Sequence, residues 1–119
     1  MTRHAELVRA VLVACNRLPG VFIFPVDVVR APGWKRTRGM AGTPDLLGWR
    51  MMDDVDGGAC PCLNSPCHEA HIPRFVAFEA KVGRDTLRPE QRAFLDKVNA
   101  VGGIALEIRD VMSAVNALR

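Results

Sequence analysis

The chain has 119 residues, of which 49% are hydrophobic and 24% charged, a composition typical of one folded domain. No apolar run is long enough to span a membrane, which argues against a membrane protein. The first 15 residues contain Glu6 and Arg9 and lack a small-residue cleavage site, which argues against a secretory signal. The predicted location is therefore the cytoplasm.

The net charge of +3 is unevenly distributed along the chain. Residues 51–71 contain four of the 13 acidic residues and no Lys or Arg, so the rest of the chain carries 16 basic against nine acidic residues, a net charge of +7. A positive body with a local group of acids suits an enzyme that attracts phosphate backbones and binds a divalent cation. The alternative is a positive surface that only keeps the protein in solution.

Hydrophobic periodicity predicts a single α/β domain, residues 1–119, with the element order α-β-β-β-α-β-α. Thr2 can cap the first helix, and Pro25 is expected to place the first strand at a sheet edge or in a bulge. Residues 52–74 lack periodicity and are predicted to be an irregular insertion between the second and third strands. The predicted elements are a helix Arg3–Arg17, strands Val21–Arg30, Asp45–Met51 and Phe75–Val82, a helix opened by Arg88-Pro89-Glu90 and closed by Gly102-Gly103, a strand Ile104–Arg109, and a helix capped by Asp110.

Each predicted helix has one apolar face that can pack on the sheet. These faces are Leu7, Val8, Val11, Leu12 and Cys15 in the first helix, Phe94, Leu95 and Val98 in the second, and Val111, Ala114, Val115 and Leu118 in the third.

The third predicted strand contains two charged residues, Glu79 and Lys81, in an apolar context. Because side chains alternate across a strand, both point to the same face, opposite to Phe78, Ala80 and Val82. Buried charges need partners. The pair is therefore either a structural salt bridge or part of a catalytic site.

Asp45 stands at the start of the second predicted strand, directly after Gly42-Thr43-Pro44. If the second and third strands are neighbours, Asp45 and Glu79 approach each other closely enough to bind one cation. Mg²⁺ prefers carboxylate oxygens together with waters and substrate phosphate. Lys81 beside such an ion could hold the attacking water or neutralise the transition state.

These residues resemble a known pattern. Pro44-Asp45 followed at a distance by Glu79-Ala80-Lys81 is the pattern of the PD-(D/E)XK nuclease superfamily. The sequence around this motif is similar to the VRR-NUC family, whose small stand-alone members occur in phages and bacteria. The matching segments are Gly42-Thr-Pro-Asp-Leu-Leu-Gly48, Phe75-Val-Ala-Phe-Glu-Ala-Lys81, Leu87-Arg-Pro-Glu-Gln-Arg-Ala-Phe-Leu95 and Gly102-Gly-Ile-Ala105.

The resemblance implies a restriction-endonuclease-like fold, with a mixed sheet flanked by helices, in a bacterium or a phage-infected cell. It implies Mg²⁺ or Mn²⁺ held by Asp45, Glu79 and the Ala80 carbonyl, with Lys81 as the catalytic lysine. It also implies an active-site role for Gln91, which shares a helical face with Phe94, Leu95 and Val98. Glu6 matches an acid often found on the family's first helix, although a surface Glu beside Arg3 and Arg9 is the commoner explanation.

Basic residues around the motif are candidates for contacts with the DNA backbone, and Trp34 for stacking on a base. For each basic residue, a solvated surface is the alternative. The family implies branched or flapped DNA, including Holliday junctions, and paired cuts in such a junction favour a homodimer. The candidate contacts are Arg30, Trp34, Lys35, Arg36, Arg38, Arg84 and Arg88.

The irregular insertion contains a cluster of potential zinc ligands: Cys60, Cys62, Cys67, His68 and His71. Zinc takes four sulfur or nitrogen ligands in a tetrahedron. A structural zinc formed by the three cysteines and one of the two histidines would stabilise a long loop inside a small domain. The alternative is a loop with free thiols.

Together these features predict a metal-dependent DNA endonuclease. One alternative is a non-catalytic nucleic-acid-binding module stabilised by zinc, which would bind DNA without cleaving it. Another is a structural domain in which Glu79 and Lys81 form a simple ion pair, and there Asp45→Ala would leave metal binding unchanged.

Overall fold

A mixed four-stranded sheet with helices on both faces forms the described part of the chain. The computed structural model describes residues 2–26, 42–52 and 72–119. Within these residues the elements are α1 (Arg3–Cys15), β1 (Val21–Pro25), β2 (Leu46–Met52), β3 (Ile72–Ala80), α2 (Pro89–Ala100), β4 (Ile104–Ile108) and α3 (Val111–Leu118).

The strands lie in the order β1-β2-β3-β4. The pairs β1–β2 and β2–β3 are antiparallel, and β3–β4 is parallel, as expected for two strands joined by the crossover helix α2. The α/β architecture predicted from the sequence is therefore confirmed. Pro25 ends β1, which is an edge strand as its missing backbone donor predicts.

Two hydrophobic layers cover the two faces of the sheet. One face, which includes Val76, Phe78 and Ala80 of β3, packs against α1 and α3. The other face, which includes Ala77, packs against α2 through Leu95. The alternation along β3 therefore assigns Glu79, two residues after Ala77, to the α2 side.

The predicted helical faces are confirmed. Val11 and Cys15 of α1 are fully buried, and Leu7, Val8 and Leu12 pack beside them. Burial raises the pKa of the Cys15 thiol to about 11, so this cysteine stays protonated at neutral pH and packs as a small apolar residue. In α3, Ala114, Val115 and Leu118 are buried, and Val111 packs against the same core.

The ends of α1 and α3 follow from local hydrogen bonds. The Thr2 hydroxyl accepts from Ala5 N at 3.1 Å, and the Asp110 carboxylate accepts from Ser113 N at 2.7 Å, so both predicted caps are confirmed. The predicted end of α1 at Arg17 was wrong. Asn16 ends the helix earlier, because its side-chain amide bonds Leu12 O and both the N–H and the carbonyl of Ile23 in β1.

Several strand bounds also differ from the prediction. β2 is Leu46–Met52 instead of Asp45–Met51, β3 ends at Ala80 instead of Val82, and β4 ends at Ile108 instead of Arg109. β1 ends at Pro25, Val26 is not part of the strand, and the rest of the predicted strand, 27–30, lies outside the described residues. β3 begins at Ile72, so residues 72–74, predicted to be irregular, are strand. Pro73 is tolerated there because it pairs only with Met51 of β2, whereas β4 begins to pair at Val76.

Beyond the part of the sheet that α2 covers, a row of aromatic residues is exposed. Phe22, Trp49 and Phe75 are cross-strand neighbours on β1, β2 and β3, and all three are exposed. The rings of Phe22 and Trp49 stack with their centroids 4.9 Å apart. No helix in the described ranges is long and apolar enough to cross a membrane.

Candidate active site

Asp45 lies just before β2 and is held against the end of β3. Its backbone N–H donates to Glu79 Oε2 at 3.2 Å, and its own Oδ2 accepts from Ala80 N at 3.0 Å. Its backbone carbonyl accepts from Val26 N at 2.9 Å. The two carboxylates predicted from the sequence to share a site therefore lie side by side, Glu79 on β3 and Asp45 directly before the neighbouring strand β2.

Glu79 is buried, with only 4% of its surface exposed. Burial and the negative charge of Asp45 raise the pKa of the Glu79 carboxyl above its ordinary value, while Lys81 and the hydrogen bonds partly oppose that shift. Burying a carboxylate beside a second one disfavours the charged form, which a bound cation would stabilise.

Gln91 links α2 to Glu79. Its Nε2 donates to Glu79 Oε1 at 2.9 Å, and its Oε1 accepts from the backbone N of Arg88 at 2.9 Å. The second bond satisfies the first free donor of α2, where Arg88 occupies the capping position without a capping side chain. One buried amide thus both starts the helix and orients the carboxylate.

Lys81 follows β3 and lies on the same side as Glu79. Its Nζ is 3.4 Å from Glu79 Oε1, and its side chain is largely buried, with 13% exposed. Its backbone N donates to Ile108 O of β4 at 3.0 Å, which fixes the residue just beyond the end of the strand. The predicted shared face of Glu79 and Lys81 is confirmed.

Gly42 allows the segment before Asp45 to lie against α2. Its φ is +84°, a left-handed conformation that favours glycine. A Cβ at this position would come within 2.3 Å of Glu90 O and 2.9 Å of Gln91 N, both of which are backbone atoms. The Gly42-Thr43-Pro44 turn therefore sets the distance between Asp45 and the helix that carries Gln91.

The residue of α1 that reaches the site is His4, which the sequence analysis missed. His4 Nε2 lies 3.1 Å from Asp45 Oδ2. Glu6, the expected acid of this helix, is exposed, and two residues of separation place it about 200° around the helix from His4. In the described residues no hydrogen bond or ion pair joins Glu6 to either carboxylate.

Arg84 and Arg88 are exposed on the connection between β3 and α2, close in sequence to Lys81. Arg109 of the segment after β4 fixes this connection, because its guanidinium donates to the carbonyls of Gly83, at 3.1 Å, and Asp85. Both candidate DNA-contact residues thus lie on an exposed connection that follows the carboxylate-bearing end of β3.

The remaining candidate residues lie outside the described part of the chain. They are the DNA-contact candidates Arg30, Trp34, Lys35, Arg36 and Arg38, and the zinc-ligand candidates Cys60, Cys62, Cys67, His68 and His71. The zinc site and these contacts therefore stay predictions.

Within the described residues, no group of three or more His, Cys, Asp and Glu side chains forms a metal site by itself. The groups that do converge are the Asp45 and Glu79 carboxylates, the backbone N–H of Ala80 and the ammonium of Lys81. Comparisons with known protein families, curated proteins and solved structures find no match to this chain. The geometry of the site and the motif resemblance are thus what support a functional assignment.

Proposed function

We propose that the protein is a metal-dependent endonuclease that hydrolyses phosphodiester bonds in DNA, similar to the VRR-NUC family. The observation that carries the proposal is the position of Asp45 relative to Glu79. The Asp45 backbone N–H bonds the Glu79 carboxylate, and the Asp45 carboxylate bonds the backbone N–H that follows Glu79. A simple ion pair between Glu79 and Lys81 does not require this second acid.

The chemistry of the donors suits Mg²⁺ or Mn²⁺. Carboxylate oxygens are hard ligands, and the named hydrogen bonds to Asp45 and Glu79 use only part of the acceptor capacity of each carboxylate, so lone pairs remain for a cation. Asp45 and Glu79 would hold the ion, with the Ala80 carbonyl as a third protein ligand. The bound ion would polarise a phosphoryl oxygen and lower the pKa of a water molecule.

The chain's own residues supply the remaining functions. Lys81, held 3.4 Å from Glu79, would orient the attacking water or stabilise the negative charge that develops at phosphorus. Gln91 would keep the Glu79 carboxylate in one orientation through its 2.9 Å bond. Arg84 and Arg88 would bind phosphates beside the scissile bond.

The substrate proposal, branched or flapped DNA, rests on the family resemblance, as does the proposed homodimer. Two sites related by a two-fold axis would match the paired cuts that a four-way junction requires. A protein that remains a monomer both in solution and on DNA would contradict the dimer and leave the proposed chemistry unaffected.

The test is a cleavage assay with Mn²⁺ on linear, flapped and four-way DNA, comparing wild type with Lys81→Ala. Removing one charge-stabilising group from a preorganised site typically slows catalysis by about 10²–10³-fold, so we expect a loss of that size. Lys97→Ala, which truncates an exposed lysine near the end of α2, is the matched control and should cleave like wild type.

DNA binding measured in parallel separates the alternatives. Lys81→Ala should still bind DNA, because the phosphate contacts come from other residues. Wild-type protein that binds DNA but leaves every substrate intact in Mn²⁺ would contradict the nuclease and favour the binding module.

A further inference from the structure

Asp45 lies outside the strand ladder, so strand pairing alone does not orient its side chain. Within the described residues, two contacts hold the carboxylate: Ala80 N at 3.0 Å and His4 Nε2 at 3.1 Å. Both fall on Oδ2. Neither of these two contacts uses Oδ1, which can therefore bind a cation.

His4 is held over Asp45 by the first turn of α1. The Thr2 cap bonds Ala5 N and fixes that turn, and Val8 and Val11, on the same side of the helix as His4, pack against the sheet. Because an ionised carboxylate only accepts hydrogen bonds, the imidazole must donate its Nε2–H to Oδ2. The contact therefore joins a helix that is distant in sequence to one specific oxygen of the candidate site.

The contact between His4 and Asp45 adds little to the free energy of unfolding. The His4 side chain is 41% exposed and that of Asp45 is 28% exposed, so water competes for both groups. Its consequence is geometric instead. Two donors on Oδ2 restrict the rotation of the carboxylate and so favour one position of Oδ1.

We propose that His4 is a positioning residue of the metal site: by donating to Oδ2 it presents Oδ1 of Asp45 to the divalent cation. The inference rests on the proposed function, since it assumes that Asp45 is a ligand. Partners that orient a metal ligand typically change metal affinity by about 10–100-fold when removed. The family resemblance suggests Glu6 as the acid of α1, whereas the residue of α1 that contacts Asp45 is His4, which acts through that carboxylate.

The test is Mn²⁺ binding in the absence of DNA, followed by the electron paramagnetic resonance of the free ion at constant pH. His4→Ala should lower the Mn²⁺ affinity at least about tenfold, with a melting temperature close to that of wild type. His4→Gln, whose terminal amide retains an N–H donor, should recover most of the affinity. Arg3→Ala, the neighbouring exposed side chain of α1, should bind Mn²⁺ like wild type.

Three outcomes would overturn the inference. They are wild-type Mn²⁺ affinity in His4→Ala, affinity in His4→Gln as low as in His4→Ala, and a loss in His4→Ala that is matched by a large drop in melting temperature. Asp45→Asn separates this inference from the proposed function. If Asp45→Asn binds Mn²⁺ like wild type, the metal centre itself is contradicted; if it loses binding while His4→Ala does not, only the role of His4 is contradicted.

Discussion

Gln91 is the residue on which the geometry of Glu79 depends most directly. It is 4% exposed, and it satisfies both the Glu79 carboxylate and the Arg88 backbone donor. Gln91→Ala leaves these groups without partners in a buried location, so we expect the free energy of unfolding to fall by about 1–3 kcal/mol, measured by urea denaturation.

Gln91→Met distinguishes the hydrogen bonds from the volume of the side chain. Methionine fills a similar space but cannot bond Glu79 or Arg88, so it should be destabilised nearly as much as Gln91→Ala. Arg92→Ala, a truncation of the exposed neighbour on α2, should change stability by no more than about 0.5 kcal/mol. Wild-type stability in Gln91→Met would contradict the role assigned to the amide.

At the same scale, sequence patterns could place some site residues but not others. Strand alternation put Glu79 and Lys81 on one face, and helical spacing directed Gln91 at the sheet. The contact between His4 and Asp45 joins residues 41 apart on elements that do not pair, so no local period shows it. The available signal was that His4 extends the apolar stripe of Val8, Val11 and Cys15, where a polar residue needs a partner.

Among the elements, α2 and the turn before Asp45 must fit together for the site to form. Gly42→Ala combines a left-handed φ of +84° with a contact to backbone atoms of α2. Gly102→Ala is the matched control, because its φ is +90° but a Cβ there meets nothing within 4 Å. We expect Gly102→Ala to cost about 1–2 kcal/mol and Gly42→Ala clearly more, by urea denaturation.

The same comparison applies to metal binding. Gly42→Ala should also weaken Mn²⁺ binding, because shifting the turn moves Asp45 relative to Gln91 and Glu79, whereas Gly102→Ala should leave it unchanged. Equal losses in the free energy of unfolding of Gly42→Ala and Gly102→Ala would show that the close approach of Gly42 to the Glu90 backbone is not required for the fold.

For the elements, the periodic segments were predictable and the ends of the strands were not. All seven elements of the described residues had apolar patterns long enough to be recognised in the sequence. The start of β3 was missed because Pro73 indicates a break, and only the register shows that it pairs with a single neighbour. Asn16 likewise ends α1 through hydrogen bonds to Ile23. This is a tertiary contact, and the helical spacing of apolar residues gives no sign of it.

For the molecule as a whole, the fold buries the Glu79 carboxyl group, which water would solvate in the unfolded chain. β3 is the third strand of the sheet and is covered on both faces, so Glu79 is placed where its charge is least favourable. The sheet is thus less stable without metal at neutral pH than the same fold would be with the acid protonated. If Glu79 is a metal ligand, as proposed, stability and metal binding are coupled through its side chain.

That coupling predicts how the metal-free protein responds to pH. Because the pKa of Glu79 is raised in the folded state, its contribution to stability is present below the ordinary value of 4.5 and is lost as pH rises through the raised pKa. As pH rises above 4.5, the free energy of unfolding of the wild type should therefore fall relative to that of Glu79→Gln, which cannot titrate. Wild-type stability that rises relative to Glu79→Gln above this pH would contradict the burial of an ionisable acid at this position.

Metal should reverse the loss at neutral pH, because a cation that binds only the folded state stabilises it by mass action. Mn²⁺ at about 100 times its Kd should raise the free energy of unfolding by about 2.7 kcal/mol in the wild type. The increase should vanish in Glu79→Gln, which lacks a ligand, and should persist in Lys97→Ala, whose exposed side chain lies in the last turn of α2. An equal increase in Glu79→Gln would mean that Mn²⁺ binds elsewhere, and the assignment of the carboxylate pair as the metal site would fail.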